Sequence, residues 1–191
     1  MRVLILSAYP ETLRPAIEAA GDTATATADR ISADDLARDG IEFLVSYGYR
    51  HLIRDPVLGA FAGRIVNLHI SWLPWNRGAD PNLWSWIDDT PKGVTIHQID
   101  AGLDTGPILA QEAVTFGAEE TLASSYARLQ ESIEALFART WPDLRAGRLT
   151  PRPQTGTGSS HTARDKDSLM ARLPLGWATP VADLPRQERS R

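Results

Sequence analysis

The chain has no cysteine among its 191 residues. That excludes disulfides, thiolate metal sites and a cysteine nucleophile, and it fits a cytoplasmic setting. No apolar run is long enough to span a membrane, so no membrane partner is expected. The opening MRVLILSAYP has a short apolar centre without a small-residue cleavage site, and reads as a first strand rather than a signal peptide. Positive charge is not in excess: the formal net charge is −4. Proteins that bind polyanions by counterion release usually show a basic face. Here the arginines are scattered, and the C-terminal PRQERSR reads as a solvated end, so nucleic acid is not expected as a partner. The histidines, His51, His69, His97 and His161, show no spacing typical of metal ligands, and no metal is implied. There is no internal repeat.

What is present reads as an α/β domain. RVLILS (2–7) is a continuous apolar run of strand length, as in a buried parallel strand. A short helical pattern follows and stops at Gly21. The β-branched alternation TATATA (23–28) predicts a strand. SADDLARDG (32–40) predicts a short helix capped by Ser32, with acidic residues in its first turn. Further strands are predicted at 41–48, 63–71, 93–100 and 107–114. The longest helix is predicted from Thr121 to Leu144, where Leu122, Leu129, Ile133, Leu136, Phe137 and Trp141 form one apolar face. Strands separated by helices argue for a mainly parallel sheet flanked by helices. Residues 1–149 form the expected domain. Residues 150–191 are rich in Thr, Pro, Gly and Ser and predict an irregular tail. Its hydrophobic anchor, Trp177, is expected to pack on the domain or on a second subunit, which makes a homodimer reasonable.

Two polar clusters stand out. In NLHISWLPWNRG (67–78) a strand carries Asn67 and His69 two positions apart, so both side chains point to one face. In HQIDAGLDTGP (97–107) a strand runs into a Gly-rich loop bearing Asp100 and Asp104. Ligands of parallel α/β sheets bind at the carboxyl ends of strands, and both segments are expected to deliver polar groups to that edge. Asn, His and Asp together suit acyl transfer. An amide donates to a developing oxyanion, an imidazole relays or donates a proton, and a carboxylate orients the imidazole. No Ser or Cys nucleophile is needed if the substrate is itself an amine.

The ordered pattern N-x-H-x-S-x-L-P-x-x-R-G, then G-V-T-x-H, then D-x-G-x-D-T-G-P-I-L, resembles the 10-formyltetrahydrofolate-dependent formyltransferases. That family includes glycinamide ribonucleotide transformylase, methionyl-tRNA formyltransferase and the sugar N-formyltransferases. The likeness spans roughly residues 40 to 115. It implies a Rossmann-like fold with Asn67, protonated His69 and Asp104 as the catalytic set. It further implies 10-formyltetrahydrofolate as formyl donor, held by His51, Leu52, Ile53 and Leu58 and by Asp100, Ala101 and Gly102. His97 matches a supporting position, and Ser71 and Gly78 match the wall of the site. Arg77 and one or more of Trp72, Trp75, Trp84 and Trp86 are candidates to meet the acceptor; a solvated tail is expected around His161 and Arg164.

The chain also departs from the family. LILSAYPETL lacks the Gly-rich phosphate loop of glycinamide ribonucleotide transformylase, which argues against a ribonucleotide bound in that way. The region before Asn67 is short by roughly 30 residues, about one βα unit. No strand series suits a tRNA-binding barrel. The reading is therefore an N-formyltransferase acting on a small-molecule amine, first an amino sugar or nucleotide-linked amino sugar. An amino-acid or peptide amine, or hydrolysis of the folate itself, are the alternatives.

Overall fold

The structure, a computed structural model, describes residues 1–185. The expectation for the C-terminal basic cluster falls at 186–191, outside the described residues. Six strands form the main sheet: β1 (Arg2–Leu6), β2 (Thr23–Thr27), β3 (Phe43–Tyr47), β4 (Ile65–His69), β6 (Gly93–Gln98) and β7 (Ile108–Ala113), in the order β2-β1-β3-β4-β6-β7. A second, two-stranded sheet pairs β5 (Arg77–Gly78) with β8 (Ser160–His161). The helices are α1 (Arg14–Ala19), α2 (Ala33–Arg38), α3 (Val57–Ala60), α4 (Pro81–Ile87), α5 (Leu122–Leu144) and α6 (Ala163–Met170).

β1 to β4 pair in parallel, and β6 pairs antiparallel with both β4 and β7. Only β6 is reversed, so the sheet is mainly parallel as the alternating pattern predicts. The reversal has a consequence for the site. The Asp-containing loop leaves β6 beside the start of β4, where the Ile99 N–H donates to the Ile65 carbonyl. It does not leave from the carboxyl edge. It reaches Asn67 by turning back across the face of the sheet.

The two faces differ in chemistry. On one, Val3, Ile5, Phe43, Val45, Val66 and Leu68 pack against Leu129, Ile133, Phe137 and Trp141 of α5. The apolar stripe of α5 is therefore core, and its start is fixed by the capping box of Thr121 and Ser124. On the other face Leu4, Leu6, Leu44 and Ile65 pack against Leu36 of α2, Val57 of α3 and Phe61. Farther along that same face the residues turn polar. Register places Ser46 beside Asn67, Asn67 beside His97, and His69 beside Thr95. The site lies where the helical cover ends.

α4 departs from expectation, and the tail packs on it and on α5. PNLWSWI (81–87) forms a helix that the aromatic-rich turn concealed, and it buries Leu83, Trp84 and Ile87 against Leu122. Leu169, Leu173, Val181 and Leu184 of the tail complete that cluster, whereas Trp177 stays 38% exposed near Tyr126. Among the described residues no helix is long and apolar enough to cross a membrane.

Candidate active site

Asn67, His69 and Asp104 meet. The Asn67 amide Nδ2 donates to Asp104 Oδ1 at 3.2 Å and faces His97 Nε2 at 3.2 Å. His97 Nδ1 is 2.8 Å from the Gln98 carbonyl, an acceptor, so Nδ1 carries the hydrogen and Nε2 receives the Asn67 amide. Both amide hydrogens of Asn67 are thus engaged. Asp104 Oδ2 accepts the Gly78 N–H at 2.8 Å and lies 3.7 Å from His69 Nδ1. Asp104 takes a left-handed backbone, φ 52°.

His69 is buried, and its Nε2 donates to the Asn76 carbonyl at 3.0 Å. Asn76 is fixed in turn: its Nδ2 donates to Ser71 and Thr90, and its Oδ1 accepts from Ser159. Burial draws the His69 imidazole below its ordinary value; the Asp104 carboxylate opposes this and His97 adds to it. Burial thus favours the neutral imidazole of His69 in the free site. Nδ1, beyond hydrogen-bond length of the carboxylate, is the nitrogen left to take a proton. For Asp104, burial alone raises the carboxyl. The attraction its carboxylate would exert on a proton held by the His69 or His97 ring, together with the Gly78 N–H, outweighs burial, and the group lies far below the usual carboxylate range.

A cavity of about 210 Å³ lies beside these groups; His69 stands behind Asp104 and does not line it. Asn67, His97 and Asp104 line it together with His51, Leu52, Ile53, Asp100, Ala101 and Gly102. Its loop is preformed, since Asp100 Oδ1 accepts from the Gly102 N–H at 3.0 Å and from the Thr105 hydroxyl at 2.7 Å. A second cavity of about 360 Å³ shares the wall His51–Arg54. Leu58, on α3, lines neither cavity.

A formyl transferase family model matches residues 8–140. The chain belongs to the formyl transferase family. The formyltransferase PseJ of Anoxybacillus kamchatkensis, crystallised with UDP-4,6-dideoxy-4-formamido-L-AltNAc and tetrahydrofolate, is 42% identical to it. That likeness has a TM-score of 0.93 and covers 98% of this chain and 100% of the other. The phosphoribosylglycinamide formyltransferase of Bacillus halodurans is 27% identical with a TM-score of 0.63, over 75% of this chain and 95% of that one. The methionyl-tRNA formyltransferase of Dinoroseobacter shibae is 38% identical over 156 residues, 80% of this chain and 50% of its own length. The chain spans about half the length of the methionyl-tRNA formyltransferases it matches.

The remaining expected residues lie outside the cavity. Trp72 and Arg77 do not line it. Trp72 packs beside Gly93, and Arg77 donates through Nε and Nη2 to Gln154 Oε1 at 3.0 and 2.7 Å. Trp84 is buried and stacks on His161, centroids 4.1 Å apart. His161 also meets Asp88 at 2.8 Å, so it is not part of a solvated tail, whereas Arg164 is exposed. Asn76 and Gln154 escaped sequence reading. An Asn before Arg-Gly in a Pro-containing turn is one signal for the left-handed conformation Asn76 adopts, φ 57°. Gln154 sits in TPRPQTGTG, where nothing local marks it.

Proposed function

We propose that the protein is an N-formyltransferase that moves a formyl group from 10-formyltetrahydrofolate to the amine of a nucleotide-linked amino sugar. The observation that carries this is the full-length likeness to an enzyme crystallised with tetrahydrofolate and a formamido sugar nucleotide. The cavity suits a flat, polar-edged heterocycle: Leu52, Ile53 and Ile99 supply apolar surface, and Asn67, His97 and Asp104 supply polar contacts.

The folate supplies the formyl group, and the chain's residues position it and handle charge and protons. Asn67 gives up one of its two present partners and donates to the carbonyl oxygen as negative charge gathers there. As the amine bonds to the formyl carbon, neutral His69 takes at Nδ1 the proton the amine loses, by way of the Asp104 side of the site. The same proton passes to the donor nitrogen as its bond to the formyl carbon breaks. The imidazolium then lies between two acceptors, the Asn76 carbonyl and the Asp104 carboxylate. Ionised Asp104 stabilises that cation at the moment it forms.

The test is tetrahydrofolate release from 10-formyltetrahydrofolate with UDP- and dTDP-linked amino sugars, free amino acids, charged tRNA, or no acceptor. Release that depends on an amino-sugar nucleotide supports the proposal. Equal release without any amine would make the protein a hydrolase.

A further inference from the structure

The geometry points to Gln154 as a positioning residue: from the C-terminal segment it holds the Asp104 backbone so that the carboxylate meets Asn67 and faces His69. This rests on the role given to Asp104 above.

Asp104 needs such support. At φ 52° Asp104 holds a left-handed backbone that aspartate tolerates better than most residues but that is still sparsely populated, so contacts to its carbonyl help fix it. Gln154 Nε2 donates to the Asp104 carbonyl at 2.8 Å and to the Gly106 carbonyl at 2.9 Å. Its Oε1 accepts from Arg77 Nε and Nη2 at 3.0 and 2.7 Å. The two carbonyls only accept and a guanidinium only donates, so the chemistry fixes which end of the amide faces which. A glutamate would turn an anion toward two carbonyl oxygens, and a lysine would offer Arg77 no acceptor.

The bonds form a closed circuit. Arg77 is followed by Gly78, whose N–H donates to Asp104 Oδ2 at 2.8 Å. The 77–78 dipeptide therefore grips Asp104 twice, directly at its carboxylate and through Gln154 at its carbonyl. The segment carrying Gln154 has little slack. Arg152 and Ile108 exchange both backbone hydrogen bonds at 2.8 Å, and the Ser159 carbonyl accepts from the Arg77 N–H at 2.9 Å. A glutamine far from the motif residues in sequence thus stands one bond behind the carboxylate.

Two variants and two readouts test this. Gln154→Met keeps the length and loses every hydrogen bond; Gln154→Glu keeps an acceptor for Arg77 and loses the donors. Both are expected to lower kcat for formyl transfer by about 10- to 100-fold while KM for the folate donor stays within about 2-fold. The second readout needs no activity. The Gly78 amide is bonded to the Asp104 carboxylate, so it is expected to exchange with solvent at least about 10-fold faster in both variants, with the amides of β3 and β4 unchanged. Wild-type kcat and unchanged Gly78 exchange would overturn the inference. So would a loss of kcat matched by faster exchange throughout the sheet, which a merely structural fastener would give. If the wild-type protein formylates no amine, the proposed function fails, and Gly78 exchange still decides whether Gln154 places the carboxylate.

Discussion

Asn67 and His97 face each other across antiparallel strands, amide Nδ2 to imidazole Nε2, at 3.2 Å. His97 spends its own hydrogen on the Gln98 carbonyl and so presents a lone pair to the amide. That sets the amide orientation: nitrogen toward the cavity, where a donor is needed. His97→Phe fills similar space without the lone pair. It is expected to lower kcat by about 10-fold, the scale of one neutral hydrogen bond, with the folate dissociation constant little changed. Steady-state kinetics and tetrahydrofolate titration check this.

Removing the donor itself costs more. Asn67→Ala is expected to reduce turnover by about 10²- to 10³-fold, as for loss of a single oxyanion donor, while tetrahydrofolate still binds. Near-normal turnover in this variant counts against the assignment.

Gly78 is constrained on two counts. Its φ is 90°, and an added Cβ would collide with the His161 carbonyl oxygen. Gly78→Ala is expected to cost about 1–3 kcal/mol of stability and to pull the N–H away from Asp104. Chemical denaturation of the two proteins measures the first effect, and kcat the second.

Acid is expected to destabilise the fold in two stages. Burial depresses His69, so between its folded value and about 6.5 the unfolded chain binds a proton that the folded chain refuses. Stability therefore falls as pH drops from about 6.5, and His69→Gln removes this stage. Below about 4 a second loss follows from Asp104 and Asp22, both depressed on folding. For Asp22 burial acts upward, but Arg145 and the α-amino group of Met1 outweigh it, both oxygens being paired. Asp22→Asn weakens the second stage. Thermal midpoints across a pH series for the three proteins check both signs.

The fold was legible where a pattern is local. The run RVLILS and the stripe of α5 declare their elements because burial on both faces of a strand, or on one side of a helix, dictates residue type along the chain. Even the weakly apolar β2 was found, from threonine alternation. The direction of β6 was not, since GVTIHQ reads alike either way round and its reversal depends on where the chain re-enters the sheet. Asn67, His69 and Asp104 were legible as chemistry and as a family pattern. Asn76 and Gln154 act through a backbone carbonyl and through two backbone carbonyls plus a guanidinium. Contacts of that kind leave no periodicity to read. The bias of His69 toward its neutral form depends on burial, which the pair of residues in the sequence does not reveal.

The most direct measurement is tetrahydrofolate release from 10-formyltetrahydrofolate with and without a UDP-linked amino sugar, with the sugar product identified by mass spectrometry. The account expects release to require the amine and to match formamido product mole for mole. Release at the same rate without the amine, or none with any acceptor, would contradict it.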